Sequence, residues 1–295
     1  MKKRVLILGA GGQLGQALSQ ELRRDYQPVE AVHRLPEPGQ RLLELTDLPA
    51  TLALLDDVRP DWILIAAAFC NVDLCETERE RCRQVNARTP AEIAAWARKK
   101  NATVLYYSTD HVFDGAAADY SEETPASPLS VYAQAKVEGE RAVREQLPGR
   151  HLILRTSGLY GPEAQRKNFV VRLVDQLRAG NRLRLPSDQW GSPTYNGDLA
   201  VATRFLLEKG LHGTFHATGP EFMPRIQLAK QVCDAFELDE KLLDPVPTAE
   251  LKQPARRPLR VRLRGEKLAS AGAPKMRAVG EGLMSLRPFL IKGVC

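Results

Sequence analysis

The stretch Arg4-Val5-Leu6-Ile7-Leu8-Gly9-Ala10-Gly11-Gly12-Gln13-Leu14-Gly15 decides the fold. Val5 to Leu8 form a short apolar run that breaks at Gly9, and apolar residues at helical spacing follow over residues 14–24. This predicts a buried strand, a tight turn and a helix. The alternation recurs outward along the chain. Strand patterns occupy residues 29–33, 62–67, 103–108 and 152–156, and helical patterns occupy 48–58 and 79–100. An alternation of this kind predicts an α/β fold with a parallel sheet covered by helices on both faces. Residues 114–130, rich in Ala, Ser, Pro and acids, read as a loop. Beyond Tyr160 the pattern loosens into helices at 169–179, 198–208 and 226–236. Residues 1–160 are therefore expected to form the sheet domain, and 161–295 a smaller C-terminal α/β lobe that shares its core.

Composition narrows the class. The chain has 295 residues, 43% hydrophobic and 26% charged, as in an ordinary globular protein. No apolar run approaches the roughly 20 residues of a membrane span, and the N-terminal run is too short for a signal peptide. A cytoplasmic location without membrane association is expected. The net charge of +6 suits an anionic partner. One basic cluster, Arg256 to Arg264, lacks the motif or interleaved aromatics of a nucleic-acid reader, so no nucleic acid is expected. Cys70, Cys75, Cys82, Cys233 and Cys295 have no Cys-x-x-Cys spacing and read as reduced thiols, with Cys70 a small buried hydrophobe. His33, His111, His151, His212 and His216 are scattered, and no metal is expected.

Gly9, Gly12 and Gly15 directly follow a strand and open a helix, the context in which glycines let the backbone approach a pyrophosphate at a helix N-terminus. With the βαβ alternation, this reads as a Rossmann-type, doubly wound dinucleotide-binding domain. At the end of the second strand, where an acid would bond both ribose hydroxyls, the chain has Arg34. An arginine there suits a 2′-phosphate, so NADPH is the expected cofactor, with NADH as the alternative donor. The competing reading makes Arg34 an exposed loop residue. Glu44 to Asp47 precede the next helix and offer either a contact to adenine or an N-terminal cap.

Thr109 ends the strand at 103–108, and Tyr132 and Lys136 lie four apart in the next helical segment. That spacing puts phenol and ammonium on one helix face, where the ammonium favours the ionised phenol. Thr109 would hold a substrate oxygen, Tyr132 would exchange its proton, and Lys136 would stabilise the tyrosinate and bond the nicotinamide ribose. His111 sits beside Thr109 in the same pocket. Asp110 reads as a structural acceptor.

These residues, with Tyr107-Ser108-Thr109-Asp110-His111-Val112-Phe113-Asp114-Gly115, Arg155-Thr156-Ser157, Asp188-Gln189-Trp190-Gly191-Ser192-Pro193-Thr194 and Ala255-Arg256-Arg257-Pro258, resemble the dTDP-4-dehydrorhamnose reductase family of the extended short-chain dehydrogenase/reductase superfamily. The resemblance spans most of the chain. It implies NAD(P)H-dependent reduction of the 4-keto group of a nucleotide-linked 6-deoxyhexulose, dTDP-4-dehydro-L-rhamnose to dTDP-L-rhamnose. Gly9, Gly12, Gln13, Leu14, Gly15 and Ala66, Ala67 and Ala68 would surround the dinucleotide with Tyr132 and Lys136. Asn71, Thr109, His111, Asn168, Phe169 and Arg257 would contact the nucleotide sugar, and a homodimer is implied. His111 stands where the family commonly has tyrosine, and Gly158 where it often has tryptophan. Two other readings stay open: another extended short-chain reductase or epimerase, and a non-catalytic regulatory subunit of the methionine adenosyltransferase type.

Overall fold

The computed structural model describes residues 2–292. In chain order its elements are β1 (Arg4–Leu8), α1 (Gln13–Leu22), β2 (Gln27–Val32), β3 (Arg41–Leu42), α2 (Leu48–Val58), β4 (Trp62–Ile65), α3 (Val72–Thr77), α4 (Arg79–Arg83), a π-helical turn (Gln84–Arg88), α5 (Thr89–Lys100), β5 (Thr103–Thr109), α6 (Val131–Gln146) and β6 (His151–Thr156). There follow β7 (Leu159–Tyr160), α7 (Phe169–Arg178), β8 (Leu183–Pro186), β9 (Trp190–Gly191), β10 (Thr194–Tyr195), α8 (Asn196–Glu208), β11 (Gly213–His216), β12 (Met223–Pro224), α9 (Arg225–Phe236), β13 (Leu243–Val246), α10 (Glu266–Ser270) and α11 (Val279–Lys292).

Seven strands form the main sheet in the order β11-β6-β5-β4-β1-β2-β3. All its pairings are parallel. Because side chains alternate across a strand, β5 sends Leu105 and Tyr107 to the layer holding Leu18, Leu199 and Leu206. It sends Val104 and Tyr106 to the layer holding Leu55, Ile93 and Val143. Helices therefore cover both faces, as the alternation implied. A third cluster unites α7, α9 and α11 around Val170, Val174, Val232 and Leu286 in the smaller lobe.

Two local readings change. The helix expected over 79–100 is interrupted, because Pro90 has no N–H to give to the preceding turn. The wider π turn leaves Asn86 free to exchange two 3.0 Å bonds with the backbone of Phe69, and Thr89 donates to Leu45 O at 2.7 Å. Beyond residue 160 the chain returns to the large sheet: β11 pairs along β6, and Leu199 and Leu206 of α8 join the core beside α1.

The return of β11 brings His216, fully buried, against Arg155 at 3.4 Å and Arg264 O at 3.1 Å. The arginine forces Nε2 to act as acceptor, so Nδ1 carries the proton and donates to Arg264. Burial, with Arg155 adding, pushes the pKa down from 6.5 to about 3. The unfolded chain takes up a proton near 6.5, whereas the folded one resists to about 3. This contribution to stability is therefore complete above pH 6.5 and is lost as pH falls toward 3. Urea midpoints at pH 7 and pH 5 are expected to differ less in His216→Gln than in the parent protein.

Candidate active site

The site lies at the C-terminal ends of β1, β4, β5 and β6. At the glycine turn, the amides of Gly9 and Ala10 both donate to Ala31 O at 2.9 Å. A Cβ on Gly15 would lie 2.1 Å from Gly9 O, and one on Gly9 would lie 2.7 Å from Ala67 N, so neither position accepts a side chain. Gly12 caps α1 without a side-chain acceptor, which leaves the first amides of that helix for an external anion. Gln13 Oε1 is buried without a partner, while Gln13 O accepts from Asn196. Leu14 is buried in the core behind the turn. Ala66 and Ala67 donate their amides to Leu8 O at 3.0 and 2.8 Å, which holds the 66–68 backbone over the end of β1. These residues fit a dinucleotide diphosphate. Arg34 is exposed just beyond β2. Asp47 proves to be the cap of α2, accepting from Ala50 N at 2.9 Å, and Glu44 pairs with His33 at 2.9 Å.

Thr109, at the end of β5, and Tyr132 and Lys136, on α6, are each buried. Ser130 caps α6 through Ala133 N, so Tyr132 rides in its first turn and Lys136 one turn later. The Lys136 ammonium donates to Tyr107 O at 2.6 Å and stands 3.8 Å above the Tyr106 ring. Burial lowers its pKa to about 7, with Glu140 opposing. The expectation that Lys136 ionises Tyr132 is not met. Burial pushes the phenol up, Cys70 and Asp110 add to that, and only Thr109 opposes appreciably. Tyr132 therefore stands as a protonated acid.

Asp110 accepts from Thr109 Oγ1 at 3.0 Å and from Ser157 Oγ at 2.5 Å, joining the ends of β5 and β6. His111 meets Tyr132 edge to face at 6.0 Å, and its Nδ1 is buried without a partner. Beside these residues opens a cleft of about 900 Å³ between the lobes, walled by Asn71, Asp73, His111, Phe169, Arg225 and Arg257. That volume suits a substrate-sized ligand. Arg225 stacks over Phe169 at 4.8 Å. Lys167 and Arg172 add positive charge to the walls.

Several site readings are corrected. Asn168 does not line the cleft. It caps α7, accepting from Val171 N at 3.1 Å and donating to Gly161 O at 3.0 Å, so its polar groups are spent on the fold. Asn71 does face the cleft but also caps α3 through Leu74 N. Arg257 reaches the cleft wall while gripping Asp73 with two bonds of 2.9 and 2.8 Å. Cys70 is exposed at the wall rather than buried. Cys75, Cys82 and Cys233 are free thiols, and Cys295 lies outside the described residues. Among the described residues no group of three His, Cys, Asp or Glu side chains is placed to hold a metal, and no helix is long and apolar enough to cross a membrane. The basic cluster forms a strap: Leu259 O accepts from Trp190 N, Arg260 covers Trp190 at 4.5 Å, and Arg264 N donates to Tyr120 O. Arg225 escaped the sequence reading because only the tertiary fold brings the start of α9 to the cleft.

A family model described as the RmlD substrate binding domain matches residues 2–287. The chain belongs to this family. Within the family it is 31% identical over 291 residues to the dTDP-4-keto-6-deoxy-D-glucose reductase of Streptomyces niveus, covering 98% of each chain. It is 33% identical over 299 residues to methionine adenosyltransferase 2 subunit beta of Mus musculus, covering 98% of this chain and 89% of the relative. The solved structure of dTDP-4-dehydrorhamnose reductase from Bacillus anthracis in complex with NADP matches with a TM-score of 0.89 at 30% identity, over 98% and 99% of the two chains.

The position of α6, and so of Tyr132 and Lys136, depends on Gly139. A Cβ there would lie 2.3 Å from Asn86 O and 2.6 Å from the Tyr106 hydroxyl. On a free helix Gly→Ala stabilises by about 0.5–1 kcal/mol. Here Gly139→Ala is expected to reverse that sign and cost about 1–3 kcal/mol in urea unfolding, because the crowded atoms are backbone and a buried ring.

Proposed function

We propose that the protein is a nucleotide-sugar 4-ketoreductase that uses NADPH, with NADH as the alternative donor, and acts in the cytoplasm. The preferred substrate is dTDP-4-dehydro-L-rhamnose and the product dTDP-L-rhamnose. The observation that carries this reading is the convergence of Thr109, Tyr132 and Lys136 beside a cleft rich in arginine and lysine. The reductase relatives from Streptomyces niveus and Bacillus anthracis, the latter in complex with NADP, support it. The proposal includes a homodimer.

When bound, the reduced nicotinamide supplies hydride to the carbonyl carbon. The chain's own residues handle the oxygen and the proton. Burial keeps the Tyr132 phenol protonated, so it can donate to the carbonyl oxygen as negative charge develops there. Thr109 Oγ1 is oriented by two contacts, donating to Asp110 at 3.0 Å and accepting the His111 amide at 3.2 Å. His111 Nδ1, unpartnered within the protein, is available to a sugar hydroxyl. Lys136, one turn on from Tyr132 in α6, would offset the charge of the tyrosinate left by proton donation. Lys167, Arg172, Arg225 and Arg257 would meet the diphosphate. The exposed guanidinium of Arg34 would meet a 2′-phosphate.

The similarity to the mouse beta subunit sustains a second reading, binding to a methionine adenosyltransferase without turnover. NADPH absorbance with dTDP-4-keto-6-deoxy-L-mannose separates the two: stoichiometric oxidation supports the reductase, whereas no turnover together with co-purification of the synthetase supports the regulatory role. Tyr132→Phe is expected to lower kcat at least 100-fold while leaving NADPH affinity within a few fold, as befits loss of a proton donor. Full activity in that variant removes the role assigned to Tyr132. Arg34→Ala is expected to weaken NADPH more than NADH in fluorescence titrations, and equal losses would remove Arg34 from 2′-phosphate recognition.

A further inference from the structure

Behind Lys136 runs a row of buried charge that the reaction chemistry above does not use. Glu140 follows Lys136 by one turn of α6, and each is 2% exposed. Arg155, on β6 and 3% exposed, grips both oxygens of Glu140, with Nε to Oε1 at 2.9 Å and Nη2 to Oε2 at 2.7 Å. Its remaining nitrogen reaches Glu122 O and the neutral ring of His216, each at 3.4 Å. Arg144 approaches Glu140 from the outer side at 3.7 Å.

The groups facing Lys136 are few. Glu140 and Tyr132 share its helix, Tyr106 and the Tyr107 carbonyl come from β5, Cys82 comes from α4, and Cys70 lies beyond β4. Among them Glu140 is the only carboxylate. An ammonium stripped of water loses proton affinity, and a neighbouring anion restores it. Arg155, bonded to both oxygens, fixes where that carboxylate stands.

We propose that Glu140 is a positioning residue for the reaction: clamped by Arg155 one helical turn from Lys136, its carboxylate favours the ammonium form of Lys136, and with it the positive charge that stands over the Tyr106 ring. The role rests on the reductase reading for its effect on turnover, but not for the charge state it sets. A neutral amine would retain the hydrogen bond to the carbonyl but lose the cation–π attraction and the charge that a tyrosinate requires. Burial lowers Lys136 to about 7 even with Glu140 opposing, so loss of that opposing charge is expected to lower it further.

The test follows the lysine directly, without substrate or cofactor. In full-length protein labelled with [ε-13C]lysine, one methylene resonance is expected to titrate near neutrality and to be absent from Lys136→Arg. In Glu140→Gln its midpoint is expected to fall by at least one pH unit, a tenfold loss of proton affinity. Glu140→Asp, which keeps the charge on a shorter arm, is expected to shift it less, and decides the matter alone if the glutamine variant does not fold. An unmoved midpoint in the variants that fold, even with lowered thermal stability, overturns the proposal, as does the lack of any near-neutral lysine in the parent protein. In turnover assays the alkaline limb should move down in Glu140→Gln in step with the midpoint. Absence of turnover in the parent protein would count against the reductase reading and leave the titration standing.

Discussion

The approach of α6 to the sheet is the constraint on which the site depends. At Gly139 this helix lies against Asn86 O and the ring of Tyr106, and the Tyr106 hydroxyl closes the contact by donating to Asn86 O at 2.6 Å. One crowded point therefore joins α6, the π turn and β5. The residues at either side of it, Lys136 and Glu140, inherit their depth from that contact. So does Tyr132, whose phenol is desolvated because the helix cannot stand further away. A helix one methyl group more distant would admit water, and the protonation states on which the chemistry relies would relax toward ordinary values.

The electrostatics of the interior follow from the same depth. Lys136, Glu140, Arg155 and His216 are nearly or fully buried, and each has a partner that fits its charge. The ammonium has a carbonyl and a ring face, the carboxylate has a guanidinium on both oxygens, and the imidazole gives its proton to Arg264 O. Removing one member leaves another buried without compensation, which costs far more than the net worth of the pair. The Asp110 bonds to Thr109 and Ser157 extend this order to the rim of the cleft.

Much of the fold was legible because strands and helices write different periods into a chain. The run before Gly9 and the helix after Gly12 stand in the structure as read. Strand β11 was not legible: four residues with a single large hydrophobe carry no detectable period, and only pairing with β6 makes them a strand. Asn168 was misread because a capping asparagine and a ligand-binding one look alike in sequence; where the amide points is settled by the helix it starts. The bond between Asp73 and Arg257 joins residues far apart in the chain, and no local pattern encodes it. For Lys136, helical spacing correctly put it on the face of Tyr132. It could not reveal that the ammonium is directed to the Tyr107 carbonyl, because that depends on where β5 ends beneath it.

The late return of β11 to the sheet has a consequence for the emerging chain. On the ribosome, β6 can pair with β5 as soon as it is made, but its other edge stays open while α7, α8 and the strands between them are synthesised. That edge belongs to an apolar strand, His151 to Arg155, buried along its length in the finished molecule. An exposed edge of this kind recruits foreign strands. Until Gly213–His216 emerge and zip onto it, the half-made protein has a sticky flank, and chaperone dependence would concentrate in that interval of translation.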